Sequence, residues 1–316
     1  MTLHGNPQWI KEVNDWIGAH MRGGDTEYAV FLEREHYYRG LKLGELSKGH
    51  AMDRHPHTFG VAGAGDCTRK PQLAALGAER KFGAGFLMTF HLGHTLESTI
   101  YALLEATGKW DILSTQEDIE IPGDFPFPLF ATKSDGIVAR KDTKARYALS
   151  GKTDDFKMGG FFRGKATRKG FGALGVEGVK GTYLVQSWLE CYGAKPRLDN
   201  AVNFTLSKGF VPAYETEDPI MKELGSAVVW MCDIPAHHGA VERFILPVWR
   251  QKQREMVNGE VGDGVLYDKE SGMFKPIDSR KSGKDLGWDW DRCKWSTGAC
   301  DMREACMAAY TGKAAI

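Results

Sequence analysis

The chain has 316 residues, 42% of them hydrophobic and 26% charged, enough to bury a full core as one large domain or one domain with an appendage. Lys+Arg and Asp+Glu both number 41, so a nucleic-acid partner would have to be met by a local basic patch and not by a global field. No apolar run approaches the roughly 18 residues of a membrane span, the opening MTLHGNPQWIKEV lacks the apolar core of a secretory signal, and six cysteines are too few for a disulfide scaffold at this length. A cytoplasmic protein off the membrane is expected, and clustered cysteines in a reducing compartment suggest a metal site.

Residues 7 to 49 read as two helices, around PQWIKEVNDWIGAHM and EYAVFLEREHYYRGLKLG, separated by Arg22-Gly23-Gly24-Asp25. Their apolar positions recur every three to four residues, which predicts that they cover a core. Arg54-His55-Pro56-His57 could bind metal, but its proline breaks regular geometry and favours a surface loop. In Gly63-Ala64-Gly65-Asp66-Cys67-Thr68-Arg69-Lys70-Pro71 the glycines resemble a phosphate loop, yet the spacing fits neither the Walker nor the Rossmann pattern. GFLMTFHLGHTLESTIYALLEAT, residues 85 to 107, is the clearest helix. His91, His94 and Glu97 fall at successive steps of three and spread over about a third of its circumference, which allows a shared metal face; the plainer account is two part-buried histidines and a solvated acid.

After the proline-punctuated Gly123 to Pro128, the stretch FATKSDGIVARKDTKARYALSGKTDD reads as two strands joined by a charged turn over Arg140 to Lys144. The first alternates through Ser134, Asp135, Gly136, Ile137 and Val138. The second runs from Tyr147 to Thr153. An acid on one strand and Lys152 on its partner can face each other across a hairpin; a solvated ion pair is the bland alternative. Residues 157 to 170 combine Lys157, Arg163, Lys165, Arg168 and Lys169 with glycines and two phenylalanines, a mixture suited to neutralising phosphates and stacking on bases, or else a plain solvated loop. TYLVQSWLECYG reads as a helix carrying Tyr183, Gln186, Glu190 and Tyr192, followed by strands near 201 to 206 and 227 to 232. A helix over about 240 to 257 is expected to show Glu242, Arg243, Arg250, Lys252 and Arg254 outward. The tail holds Cys293, Cys300 and Cys306 within fourteen residues, a spacing open to zinc, an iron-sulfur cluster or burial, and needing a fourth ligand from Cys67, Cys191 or Cys232.

Together these pieces resemble the RecB-like exonucleases of the PD-(D/E)XK superfamily, and within it the iron-sulfur group that includes CRISPR-adaptation exonucleases, helicase-nucleases and phage homologues. Gly93-His94-Thr95-Leu96-Glu97 resembles the motif that supplies a histidine or glutamate ligand, Ser134-Asp135-Gly136 the aspartate motif, and Ser150-Gly151-Lys152-Thr153 the (D/E)-x-K-T motif. The helix with Gln186 resembles the Gln/Tyr motif, although Gln186 to Tyr192 exceeds the usual interval of four. Cys67 before Thr68-Arg69-Lys70 resembles the first cluster ligand and Cys293, Cys300 and Cys306 the other three, with a gap of six between the first two of these where the family commonly has two. The resemblance spans about residues 60 to 310.

The resemblance implies an α/β fold with a central mixed β-sheet flanked by helices, divided into an N-terminal helical region (1–60), a PD-(D/E)XK nuclease core (61–290) and a C-terminal iron-sulfur segment (291–316) packed with Cys67. It implies a metal-dependent exonuclease that hydrolyses phosphodiesters of single-stranded or frayed DNA in a bacterial or phage-infected cell, alongside a recombination- or CRISPR-related protein partner. Glu97 and Asp135, with His94 second, would bind Mg2+ or Mn2+. Lys152 would stabilise the transition state, Gln186 and Tyr192 would position the strand, and a [4Fe-4S] cluster would join the chain ends. Ser150 stands where the family places an acid, and a hydroxyl is a poor ligand for a hard cation. An inactivating substitution, a carboxylate migrated to Asp154 or Asp155, and a natural member that no longer cuts all account for it. The last makes the chain a non-catalytic DNA-binding or adaptor protein; a zinc protein is a third reading.

Overall fold

The computed structural model describes residues 5–47, 55–78, 84–154, 181–207, 229–268 and 271–276, with short pieces at 294–295, 298–299, 302 and 305–306. The fold is α/β around a mixed five-stranded sheet. The N-terminal pair of helices, α1 (Pro7–His20) and α2 (Thr26–Ser47), forms as expected. Asn6 caps α1 by accepting the Trp9 amide at 3.2 Å with Pro7 in the first turn, and Asp25 accepts the amides of Glu27 and Tyr28 at the start of α2. A short α3 (Arg69–Ala75) follows the Cys67 loop, and α4 (Ala84–Ala106) covers the predicted long helix.

Next come β1 (Trp110–Ser114), β2 (Glu117–Ile121), β3 (Phe130–Ser134), β4 (Ile137–Arg140) and β5 (Arg146–Asp154). Helix α5 (Gly181–Gly193) lies between β5 and β6 (Asn200–Ser207), which pair in parallel; β7 (Val229–Pro235) closes the sheet. The order is β1-β4-β5-β6-β7, with every neighbouring pair except β5 and β6 antiparallel. A parallel pair requires a crossover, and α5 is that crossover. A π-helical turn at Val241–Ile245 leads into α6 (Leu246–Val257), and β8 (Val265–Asp268) pairs with β9 (Met273–Pro276).

The predicted β4–β5 hairpin is present, with Ile137 opposite Ala148 and Val138 opposite Tyr147. Its first strand is not continuous through Asp135, however. β3 ends at Ser134 in a two-stranded sheet with β2, and the chain enters the main sheet only at Ile137. Gly136, at φ 125°, makes the switch: a Cβ there would lie 2.2 Å from the Ser114 carbonyl oxygen. Asp135 therefore stands at a junction between sheets, and its reach to β5 is set by that break and not by cross-strand pairing.

Each face of the sheet has its own core. On one, Trp9, Ile10 and Val13 of α1, Phe31 and Tyr38 of α2 and Ile100, Leu103 and Leu104 of α4 meet Tyr147, Leu149, Phe204 and Trp230. On the other, Leu184, Val185 and Trp188 of α5 and Trp249 and Met256 of α6 meet Ile137, Ala148, Ala201, Phe130 and Ile121. Lys252 corrects one expectation: it is buried, its ammonium 2.9 Å from Glu255, which also accepts the Gln72 side-chain amide. Lys252 lies three residues past Trp249 and four before Met256, on the stripe that faces the core. His55 and His57 lie in a turn, His55 stacked on Phe127 with ring centroids 3.8 Å apart, as a surface loop predicts. No helix among the described residues is long and apolar enough to cross a membrane.

Candidate functional site

Asp135 is the centre. Gly151 donates its backbone amide to Asp135 Oδ2 at 2.8 Å, and the Lys152 ammonium lies 3.6 Å from the same oxygen. From below, the Tyr101 hydroxyl bridges the carbonyl oxygens of Asp135 and Thr115 and so anchors the junction to α4. Glu97 is one helical turn before Tyr101 and shares its face. The Lys42 ammonium, brought in by α2, forms an ion pair with Glu97, both side chains being largely enclosed.

Alternation along β5 turns Ala148, Ser150 and Lys152 to the α5 side of the sheet. There Lys152 lies 5.6 Å from the centre of the Tyr183 ring. Seven residues after Tyr183, on the same helical stripe, stands Glu190, 1% exposed, with Oε1 accepting the Gln186 side-chain amide at 2.7 Å.

These charges perturb one another. Burial pushes the Asp135 carboxyl up against the pull of Lys152, with Glu97 adding to the rise and Lys42 and the Gly151 amide opposing it. Burial, then repulsion from Asp135, pushes Glu190 up to about 8 despite Lys152 and Gln186. Burial would discharge Lys152, but Asp135, Glu190, Tyr183 and Glu97 outweigh it and hold the ammonium charged. With all five groups ionised, three acids against two lysines leave one negative charge, which a proton on Glu190 removes. Reciprocally perturbed, part-enclosed groups of this kind are found both at functional sites and in structural ion-pair networks. A cleft of about 210 Å³ opens beside the cluster, lined by Tyr38, Leu41, Lys42, Tyr101, Gln116 and Lys133.

Comparison with protein-family models, with curated proteins and with solved structures finds no match.

Of the residues singled out in the sequence, Glu97, Asp135, Lys152 and Gln186 are drawn into one electrostatic neighbourhood. The backbone of His94 lies in α4, one turn before Glu97; its side chain is outside the described residues, as are those of Asp154 and Asp155. Ser150 is fully buried on β5, and its hydroxyl has no hydrogen-bond partner among the described residues. Tyr192 points elsewhere. Two residues beyond Glu190 it is turned about 200° around the helix, where its hydroxyl meets Glu242 at 3.2 Å and the Arg197 guanidinium stacks 3.9 Å above its ring. Lys157, Arg163, Lys165, Arg168 and Lys169 lie outside the described residues, as do Cys293 and Cys300.

Sequence reasoning missed Lys42, Tyr101 and Glu190 as site residues. Lys42 and Tyr101 carry no local signal, but Glu190 stands four residues after Gln186, the interval that Tyr192 fails to meet.

As a cation site the cluster offers two part-enclosed carboxylates, Glu97 and Asp135, which are hard oxygen donors suited to Mg2+ or Mn2+. Among the described residues no three acid, histidine or cysteine side chains converge at coordination distance; Lys42 and Lys152 hold Glu97 and Asp135 in separate ion pairs. Exchanging Lys42 for a divalent ion, with Glu190 ionised, would leave the cluster neutral, so the donor charge fits. The Cys67 loop, whose Gly65 packs against the backbone of Thr182 at the start of α5, is tied to β8. Thr68 N donates to the Val265 carbonyl, Val265 N to the Thr68 hydroxyl and Tyr267 N to the Gly65 carbonyl. Cys67 is pushed up to about 11 by burial, with Asp66 and Cys306 adding to the rise, so Cys306 lies within electrostatic reach of Cys67. Both thiols are half-buried, and a metal that takes thiolates would have to displace the Cys67 proton on binding.

Proposed function

We propose that the chain is a metal-dependent deoxyribonuclease of the RecB-like kind, an exonuclease acting on single-stranded or frayed DNA, with an iron-sulfur cluster tying the Cys67 loop to the C-terminal segment. The convergence of Glu97, Asp135 and Lys152, from a helix, a sheet junction and a strand, carries this reading. When bound, Mg2+ or Mn2+ would lower the pKa of a water and neutralise charge growing on the scissile phosphate.

The chain's own groups divide the remaining work. Asp135 and Glu97 would hold the cation, with the Gly151 amide and Tyr101 fixing Asp135 in place. Lys152, kept charged by its carboxylate neighbours, is a fixed cation for the phosphate oxygens. The cleft between Lys42 and Lys133 offers the strand a way in, with Tyr38 and Leu41 as its apolar wall. Cys67, Cys293, Cys300 and Cys306 would hold the cluster, whose role is structural because it closes a very long loop.

Mn2+-dependent digestion of an end-labelled single strand tests the reading: cleavage by the wild type that disappears in Asp135→Ala supports it. The buried Ser150 favours a second reading, a DNA-binding protein that keeps the fold without cutting. That reading predicts strand binding without digestion, whether or not an acid is restored by Ser150→Glu.

A further inference from the structure

The buried hydroxyl of Ser150 shares the face of β5 with Lys152, and the buried carboxylate of Glu190 lies within electrostatic reach of the same ammonium. Ser150 is two residues before Lys152 on the same face of β5, fully enclosed, and its oxygen is unpartnered among the described residues. Its register partner on β6, Asn203, is equally enclosed, and its side-chain nitrogen is also unpartnered among them. Across from them Glu190 turns one oxygen to Gln186, while Oε2 is buried with no hydrogen-bond partner among the described residues. An acid with one oxygen held by a neighbouring amide and the other unspent, beside a lysine and an aspartate, is arranged to face a ligand. An unmet buried acceptor costs about 1–3 kcal/mol, which a ligand meeting Oε2 would relieve.

We infer that Glu190 supplies, from α5, the carboxylate that position 150 of β5 lacks, facing the bound cation directly or through a water of its shell. The inference rests on the metal-dependent reading of the Asp135 cluster and adds a residue to it. Position 150 and Glu190 approach Lys152 from the strand and from the crossover helix, so a carboxylate on either can present negative charge on the same side of the ammonium. Gln186, donating to Oε1, is then a positioning residue that aims Oε2.

Calorimetric titration of the purified protein with Mn2+ alone, beside thermal melts that check the fold, tests this without requiring catalysis. Glu190→Gln keeps the shape and removes the charge, and should weaken Mn2+ binding roughly 10- to 100-fold, the range for residues that support a metal's ligands. Glu190→Asp should fall between it and the wild type. The double variant Ser150→Glu with Glu190→Gln should regain Mn2+ affinity to within a few-fold of wild type. Wild-type affinity in Glu190→Gln would overturn the inference, and so would a well-folded double variant that stays as weak as Glu190→Gln. If Mn2+ binding follows Glu190 in this way but no strand is digested, the nuclease reading fails and the assignment of Glu190 stands.

Discussion

Asp135 Oδ2 accepts the Gly151 amide at 2.8 Å, while the ammonium of the next residue, Lys152, stands 3.6 Å from the same oxygen. One atom thus reads both the backbone and a side chain of β5, so the acid at the sheet junction and the lysine on the strand cannot shift independently. Each of the following experiments disturbs one support of that relationship or of the fold around it.

Gly136 lets the chain leave β3 and enter β4. Its φ of 125° disfavours any side chain, and an added methyl would sit 2.2 Å from the Ser114 carbonyl oxygen, so Gly136→Ala is strained twice over. It should cost roughly 2–3 kcal/mol in urea unfolding and displace Asp135 from Gly151. An unchanged urea midpoint would contradict the sheet switch.

Lys42 competes with any cation for Glu97. On the metal-dependent reading, Lys42→Met should tighten Mn2+ binding and make the melting temperature rise more on Mn2+ addition than it does for the wild type. Without metal the variant should be less stable, because Glu97 then faces Asp135 without the Lys42 charge. Equal Mn2+ shifts in the two proteins would rule out the competition.

Arg140 is buried where α1 meets the β4–β5 turn, pairing with Glu12 at 2.6 Å and with Asp142 at 2.5 Å and lying 5.1 Å from the Trp110 ring centre. Its hydrogen bond lowers the Asp142 carboxyl to about 2. A depressed folded-state pKa stabilises the fold above the unfolded value near 3.9, and this contribution is lost as pH falls toward 2. Arg140→Met should cost roughly 2 kcal/mol at neutral pH and flatten the decline of stability between pH 4 and pH 2, about the window set by those two values. Parallel pH profiles for the two proteins would exclude the pair as its source.

Cys67 lies in the loop pinned to β8 with Cys306 in electrostatic reach. If these thiols hold an iron-sulfur cluster, anaerobically purified Cys67→Ser should lose most of its iron and sulfide, and Cys191→Ser, buried on α5, should lose neither. Zinc in place of iron in the wild type would return the cysteines to the zinc reading.

Helices were the most legible elements because their apolar period is repeated over many turns: α1, α2 and α4 lie within a few residues of the stretches read from sequence. β1 and β2 had no such signal. WDILS and EDIEI are five residues each, and the acids of EDIEI are poor strand formers, so pairing with β4 and β3 decides them. Lys252 misled for a related reason. Charge suggested the surface, whereas Lys252 is held by half-buried Glu255 three residues on in the same helix, and the Gln72 amide that also meets Glu255 comes from α3, which packs there only in the folded chain.

Motif spacing could nominate Glu97, Asp135, Lys152 and Gln186, because residue type and local interval are written along the chain. It could not nominate Lys42 or Tyr101, nor choose Glu190 over Tyr192. Those choices depend on which side of a helix faces the sheet and on how far α2 reaches over α4, and packing of the two cores settles both. Chemistry at a point can be read from a string of residues; the electrostatic sum at that point depends on distances that exist only once the layers have closed.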